Sequence, residues 1–208
     1  MKIVLLGPPG SGKGTQAKLI ADYFKLEHIS TGDLFREEIR NKSELGVKIK
    51  HYIEEGKLVP DEIVIQCVKN KIESIKDGFI LDGFPRTLDQ CYALEKITEI
   101  DFVFNINVSD KVIIERITSR RICPKCNRVY NLKLNPPKED ELCDFCKVKL
   151  IQRDDDKEEV IKNRLKEYNK YAKEIVDFYK KKGKLFNIDG ERQINDIFNE
   201  IVNIIKNG

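Results

Sequence analysis

Nine residues, Gly7-Pro8-Pro9-Gly10-Ser11-Gly12-Lys13-Gly14-Thr15, combine the types needed to hold a polyphosphate. Glycine reaches backbone angles closed to other residues, so successive N–H groups can turn toward one anion, and a helix starting at the end of the loop adds the positive end of its dipole. Lys13 supplies a point charge for the outer phosphates. Gly7, Gly12 and Lys13 meet the pattern G-x-x-x-x-G-K, but Gly14 follows, and the hydroxyl arrives one place late, at Thr15. An ordinary strand-to-helix turn needs one or two glycines and no lysine.

Two further sets of side chains carry chemistry. Cys123 and Cys126, and then Cys143 and Cys146, form two Cys-x-x-Cys pairs. Each pair can place two thiolates on a tight knuckle, and two knuckles complete a tetrahedron around zinc with no position open for water, which makes the metal structural. Four free thiols or two reducible disulfides are the alternatives, and iron could replace zinc in the same site. Cys67 and Cys91 sit on apolar helix faces and read as small buried hydrophobes. The other set is Arg36, Arg86, Arg116, Arg120, Arg153 and Arg164, all near the ends of elements expected to face the glycine loop or the cysteine-bearing insertion. A guanidinium grips phosphate oxygens two at a time, where lysine acts as a point charge.

The elements that must position these groups follow from the apolar pattern. Apolar runs at 2–6, 26–30, 79–82, 101–108 and 184–188 alternate with helical periodicities. Such strands, apolar rather than alternating, predict a five-stranded parallel sheet covered by helices on both faces, with the active site at the carboxyl ends of the strands. Between 31 and 57 the periodicity gives two short helices broken at Asn41-Lys42-Ser43, read as a small lobe leaning on the core. Ser30 or Thr31 caps the first of them. Pro60-Asp61 opens a longer helix, with Asp61 as its cap and Lys76-Asp77-Gly78 as its end, and Thr87 caps the next. From Arg120 to Asp156 the pattern breaks around Pro136-Pro137, with no helix-length apolar face. This inserted lobe has too little core to fold without a staple. His28 and His51 read as strand-end and surface residues, not a catalytic pair.

A chain of 208 residues can hold one sizeable core with small insertions. A net charge of +3 does not mark a nucleic-acid or anionic-membrane binder, and no apolar run approaches the roughly 20 residues that span a bilayer. The expectation is a cytoplasmic monomer with neither nucleic acid nor membrane as partner.

The loop from Gly7 to Gln16, the stretch Ser30-Thr31-Gly32-Asp33-Leu34-Phe35-Arg36, Asp82-Gly83-Phe84-Pro85-Arg86-Thr87, Arg120-Arg121-Ile122-Cys123 and Arg153-x-Asp155-Asp156 occur in the order and spacing of adenylate kinases of the long-lid, zinc-bearing kind. The resemblance covers essentially the whole chain. It implies a P-loop NTPase-type α/β fold with a core of 1–29, 60–118 and 157–208, a monophosphate-binding lobe of 30–59 and a zinc-containing lid of 119–156. It also implies transfer of a phosphoryl group from MgATP to AMP, giving two ADP. On that resemblance Gly10, Ser11, Gly12, Lys13, Gly14 and Thr15 hold the ATP phosphates, with Thr15 near magnesium and Asp82 holding that ion through water. Arg116 joins the clamp on the phosphates as the lid closes, Val129 and Tyr130 lie near the ATP base, and Glu191 meets that base through its backbone. Thr31, Arg36, Lys57, Leu58, Val59, Gly83, Phe84, Pro85, Arg86 and Gln90 form the AMP site, Gln90 reading the adenine edge. Arg120, Arg153 and Arg164 join Lys13 and Arg86 around the transferred group, Arg153 and Arg164 also meeting AMP. Two departures stand out: Ser119 where relatives usually carry glycine before the lid arginines, and no proline in 169–172. The competing readings are a UMP or CMP kinase, an AMP kinase that uses GTP and, from another class, a P-loop protein whose zinc knuckle binds nucleic acid through Arg120, Arg121, Lys125 and Arg128.

Overall fold

The computed structural model describes residues 1–208. In chain order the elements are β1 (Lys2–Leu6), α1 (Lys13–Phe24), β2 (Glu27–Ser30), α2 (Thr31–Arg40), α3 (Glu44–Glu54), α4 (Asp61–Glu73), β3 (Phe79–Asp82), α5 (Leu88–Ile97), β4 (Phe102–Asn107), α6 (Asp110–Thr118), β5 (Arg120–Ile122), β6 (Val129–Asn131), α7 (Glu158–Lys181), β7 (Leu185–Asp189) and α8 (Ile194–Asn207), with a single 3₁₀ turn at Asp154–Asp156 before α7. The five strands of the main sheet are all parallel, in the order β2-β3-β1-β4-β7, which matches the architecture expected from the apolar runs. β1 is central. Its carboxyl end therefore opens beside those of β3 and β4, where the crossovers leave the sheet in opposite directions.

Because strand side chains alternate, each strand feeds two separate cores. Ile3, Leu5, Ile80, Phe104, Ile106 and Ile188 pack with Ala17, Ile20, Ile197 and Ile201 of α1 and α8. On the other face Val4, Leu81 and Val103 pack with Val64, Val68, Cys91, Leu94, Ile175 and Tyr179 of α4, α5 and α7. That second cluster also contains Phe35, Ile49 and Val59, so the apolar faces of α2 and α3 are continuous with the sheet core instead of resting against it. α2 and α3 approach so closely that a side chain on Gly46 would run into the Glu38 carbonyl.

Local capping follows the sequence in most places. Ser30 accepts from the Asp33 N–H, Ser43 from Gly46 and Thr87 from Gln90. α4 differs. Pro60 holds its cap position with no side-chain cap, α4 closes at Glu73, and the Asp61 carboxylate turns away to Thr87 Oγ1 at 2.6 Å and Gln90 Nε2 at 2.7 Å. Two hydroxyl and amide donors at fixed geometry outweigh one backbone cap.

The insertion between α6 and α7 contains the antiparallel pair β5–β6, extended by a bridge from Ile122 to Ile151. Its buried apolar core is only Cys123, Tyr130, Cys143 and Leu150. No helix is long and apolar enough to cross a membrane.

Candidate active site

β1 delivers the chain into the glycine loop, where Gly7, Gly10 and Gly12 adopt positive φ values of 138°, 79° and 96°. Gly12 is the cap residue of α1 and offers no side chain to the first-turn N–H groups, which leaves them for an anion. Lys13 Nζ donates to the carbonyls of Gly7 at 2.6 Å and Pro8 at 2.7 Å. Enclosure there pulls the Lys13 amine down to about 7; Asp82 works against that fall, and Arg86, Arg164 and Arg120 reinforce it.

Asp82 ends β3 directly opposite Leu5 of β1. A Cβ at position 14 would lie 3.2 Å from Asp82 Oδ2. A side chain after the lysine would press on that carboxylate, a contact that the glycine at 14 avoids, and the loop's hydroxyl comes from Thr15. His28 Nε2 stands 3.6 Å from Asp82 Oδ2. Burial would raise the Asp82 pKa, but the neighbouring His28 and the charge of Lys13 hold it below the ordinary carboxylate value. The buried His28 Nε2 makes no hydrogen bond; it stands near Asp82, a neighbour that its position in the sequence did not reveal.

Four of the six arginines meet in one network. Arg120 of β5 lays Nε on Asp156 Oδ2 at 2.9 Å and a second nitrogen on Asp156 Oδ1, a bidentate grip. Arg164 of α7 reaches Asp155 Oδ2 at 2.9 Å, and Arg36 of α2 approaches the same oxygen at 3.7 Å. Arg36 also holds Asp33 Oδ1 at 2.6 Å, which Arg153 shares at 3.5 Å. Contacts from Arg153 to Asp33 and from Arg36 to Asp155 thus join the insertion to α2. Burial pulls both Arg153 and Arg164 down to about 10. Burial would raise the Asp155 pKa, yet Arg164, Arg36, Arg120 and Arg153 together hold it low.

Arg86 lies beside this group, its Nε donating to the Gly83 carbonyl at 2.7 Å, an acceptor shared with Thr31 Oγ1 at 3.0 Å. Phe84 is fully buried and precedes a cis Pro85. Gln90 is 1 % exposed; its Oε1 accepts from the Arg86 N–H at 2.7 Å and its Nε2 donates to Asp61. One N–H and one lone pair of that amide remain for a base edge. Val59 is buried in the main core, whereas Lys57 pairs with Glu55 at 2.6 Å on the surface and Leu58 is half-buried between them.

Arg116 stands apart from the other five, on the far side of the loop, with its NH1 at 3.4 Å from the Ser11 carbonyl. Glu191 accepts from the Ser109 N–H at 2.8 Å. In the lid, residues directly opposite on β5 and β6 share a face, so Arg120, Ile122, Val129 and Asn131 point one way and Arg121 and Tyr130 the other. Val129 is exposed, but the Tyr130 ring is buried among the cysteines. The four cysteine sulphurs lie within 4.8 Å of one another. The Cys126 N–H points to Cys123 Sγ and the Cys146 N–H to Cys143 Sγ, each at 3.5 Å, as in two metal knuckles. Arg120, one of the four cations named for a nucleic-acid surface, is turned inward onto Asp156, and Arg128 lies over the Phe145 ring at 3.6 Å.

Asp33, Asp155 and Asp156 escaped the sequence reading as functional groups, although they lie inside the motifs quoted. The signal was available in charge arithmetic: a cluster of buried guanidiniums requires carboxylates, and these are the acids beside them in the chain.

A parallel sheet with a glycine loop after its central strand, a half-buried lysine in that loop and a group of arginines around it defines a P-loop phosphotransferase. The comparisons with known proteins refine this class. The family profile described as adenylate kinase matches residues 5–184. A protein named adenylate kinase from Clostridium novyi (strain NT) is 49 % identical over 213 residues, covering 99 % of both chains. Its namesake from Methanothrix thermoacetophila is 49 % identical over 212 residues, covering 99 % of this chain and 98 % of its own. Another, from Finegoldia magna, is 45 % identical over 215 residues and covers both chains completely. The chain belongs to the adenylate kinase family.

Proposed function

We propose that the chain transfers the terminal phosphoryl group of MgATP to AMP, reversibly, giving two ADP. The observation that carries this reading is the meeting of Arg36, Arg120, Arg153 and Arg164 around three aspartates, Asp33, Asp155 and Asp156, on the side of the molecule where Arg120, Arg164 and Arg86 act on the Lys13 charge. The attacking phosphate oxygen of AMP is already anionic, so no general base is required, and catalysis reduces to alignment and charge neutralisation. The first-turn N–H groups of α1 and Lys13 bind the donor phosphates. Arg36 and Arg86 grip the acceptor phosphate, with Arg120, Arg153 and Arg164 closing on the group in transit. Thr31, Gly83 to Pro85, the 57–59 segment and Gln90 shape the acceptor side; Arg116, beside the glycine loop, meets the donor phosphates, and Val129 and Glu191 flank the donor base.

The division into a core of 1–29, 60–118 and 157–208, an acceptor lobe of 30–59 and a lid of 119–156 gives the closure a purpose, since water is the competing nucleophile. Magnesium bound with ATP neutralises phosphate charge. Thr15 and Asp82 fit it, as a hydroxyl and a carboxylate kept ionised beside the loop. Four thiolates with no position left over fit a structural zinc. The protein acts as a cytoplasmic monomer.

The deciding experiment mixes the protein with MgATP and AMP and follows ADP. Appearance of ADP only when both nucleotides are present is expected, and its absence would overturn the reading. UMP and CMP as acceptors and GTP as donor, run in the same assay, fix the bases.

A further inference from the structure

Tyr130 is the one side chain in the lid that joins the cysteine cluster to β6 by a hydrogen bond. It is 3 % exposed and packs with Cys123, Cys143 and Leu150, on the face of β6 opposite to Val129. A phenolic hydroxyl has one proton to donate and lone pairs to accept. The Tyr130 oxygen accepts from the Asp144 N–H at 3.0 Å, and Cys143 Sγ lies 3.5 Å from it. With the N–H taking a lone pair, the proton is left to point at the sulphur. Cys143 Sγ thereby receives two hydrogen bonds, from Tyr130 and from the Cys146 N–H, while Cys123 Sγ receives one, from the Cys126 N–H.

We infer that Tyr130 is a positioning residue for the metal: its hydroxyl donates to the Cys143 thiolate and fixes the second knuckle onto the strand whose other face carries Val129. The inference rests on the reading of the four cysteines as a zinc site. Four thiolates around a divalent cation leave two net negative charges in a very small core, and a charge-assisted hydrogen bond offsets part of their desolvation. The same bond sets the register between metal and strand, so the knuckle and the donor-facing side of the lid move as one piece. The Tyr130 ring is then committed to the metal. What β6 offers a donor base is Val129 and backbone.

The test uses the full chain loaded with zinc, or with cobalt(II) as a spectroscopic probe, in the wild type, in Tyr130→Phe and in Val148→Ala. Val148 packs on the same cluster and brings it no hydrogen-bonding side chain. In Tyr130→Phe, zinc transfer to an excess of a chromophoric chelator should quicken by about tenfold or more, the usual scale for losing a partner of a metal ligand. The thiolate-to-cobalt absorption should move to lower energy, because the sulphur becomes more electron-rich. Val148→Ala should leave that band where it is. Wild-type release and an unmoved band in Tyr130→Phe would overturn the inference, as would an equal shift in Val148→Ala, which would make the effect one of packing. A wild-type chain that takes up neither metal would overturn both this inference and the zinc reading.

Discussion

The sheet core and the lid solve the same problem with different chemistry. Around the sheet, two clusters of 18 and 11 buried residues hold the strands and the P-loop in place. The insertion's own apolar cluster has four buried residues, two of them cysteines. Burial of that extent orders a region cooperatively, since each apolar side chain contributes roughly 1.5–3 kcal/mol, whereas the lid falls far short of its own ordering entropy. On the proposed zinc reading, a metal held by the four cysteines would supply the difference at one point. The lesson is that, with a metal at its centre, the insertion proposed as a lid would be ordered from within, so its order need not rest on packing against the core and it could turn as a body.

That contrast can be broken or sharpened by measurement. The largest effect belongs to the chemistry housed in the core. Lys13→Ala should lower turnover by about 10³-fold, roughly 4 kcal/mol in the barrier, with the melting temperature nearly unchanged, as read by ADP formation and calorimetry. Near-wild-type turnover would remove Lys13 from the machinery. Ile49→Ala should cost about 3 kcal/mol of global stability in urea unfolding, because Ile49 is fully buried in the cluster that continues into the sheet. If only α2 and α3 loosened while the sheet kept its stability, the continuity would be refuted.

Chelation should act differently from either. Stripping the metal is expected to raise proteolysis within residues 119–156 and to lower the melting temperature by several degrees while the sheet stays folded. An unchanged melting curve and protease pattern would count against a structural metal. Smaller still is the effect of the ion pairs between insertion and α2. Asp33 is 45 % exposed, so after solvent screening Asp33→Asn should shift lid closure by under about 1 kcal/mol, a few-fold change in a fluorescence-transfer distance between α3 and the lid.

Acid should reach the same joint. Burial would raise the Asp33 pKa and Arg36 holds it low; Asp155 is held low likewise. Their contribution is complete above the unfolded carboxylate value near ~3.9 and disappears as pH falls through the lower folded values. Closure should therefore persist to about pH 4 and fail below it, and the acid-induced opening should vanish in the double variant Asp33→Asn, Asp155→Asn.

The strands and the phosphate loop were legible because each is encoded locally, in apolar runs and in glycine spacing. Gly14 shows where that stops: its absence of a side chain was visible, but the contact it avoids, with Asp82 on a strand far away in sequence, belongs to the sheet register. Asp61 was assigned to a cap because caps are short-range, and it serves Thr87 and Gln90 instead. The arginines announced themselves by type and motif. That five of them gather while Arg116 stays behind the loop depends on crossovers that no spacing records. Tyr130 lies next to Val129 in the chain and faces the opposite way, a distinction that exists only once β5 and β6 pair.

The guanidiniums of Arg36, Arg120, Arg153 and Arg164 each already hold a carboxylate of the protein. On the roles proposed for them, a nucleotide phosphate arriving there would exchange with an anion, and the affinity gained would be the difference between two ion pairs. Nucleotide binding at these four should consequently vary little with ionic strength, since screening weakens the outgoing pair as much as the incoming one.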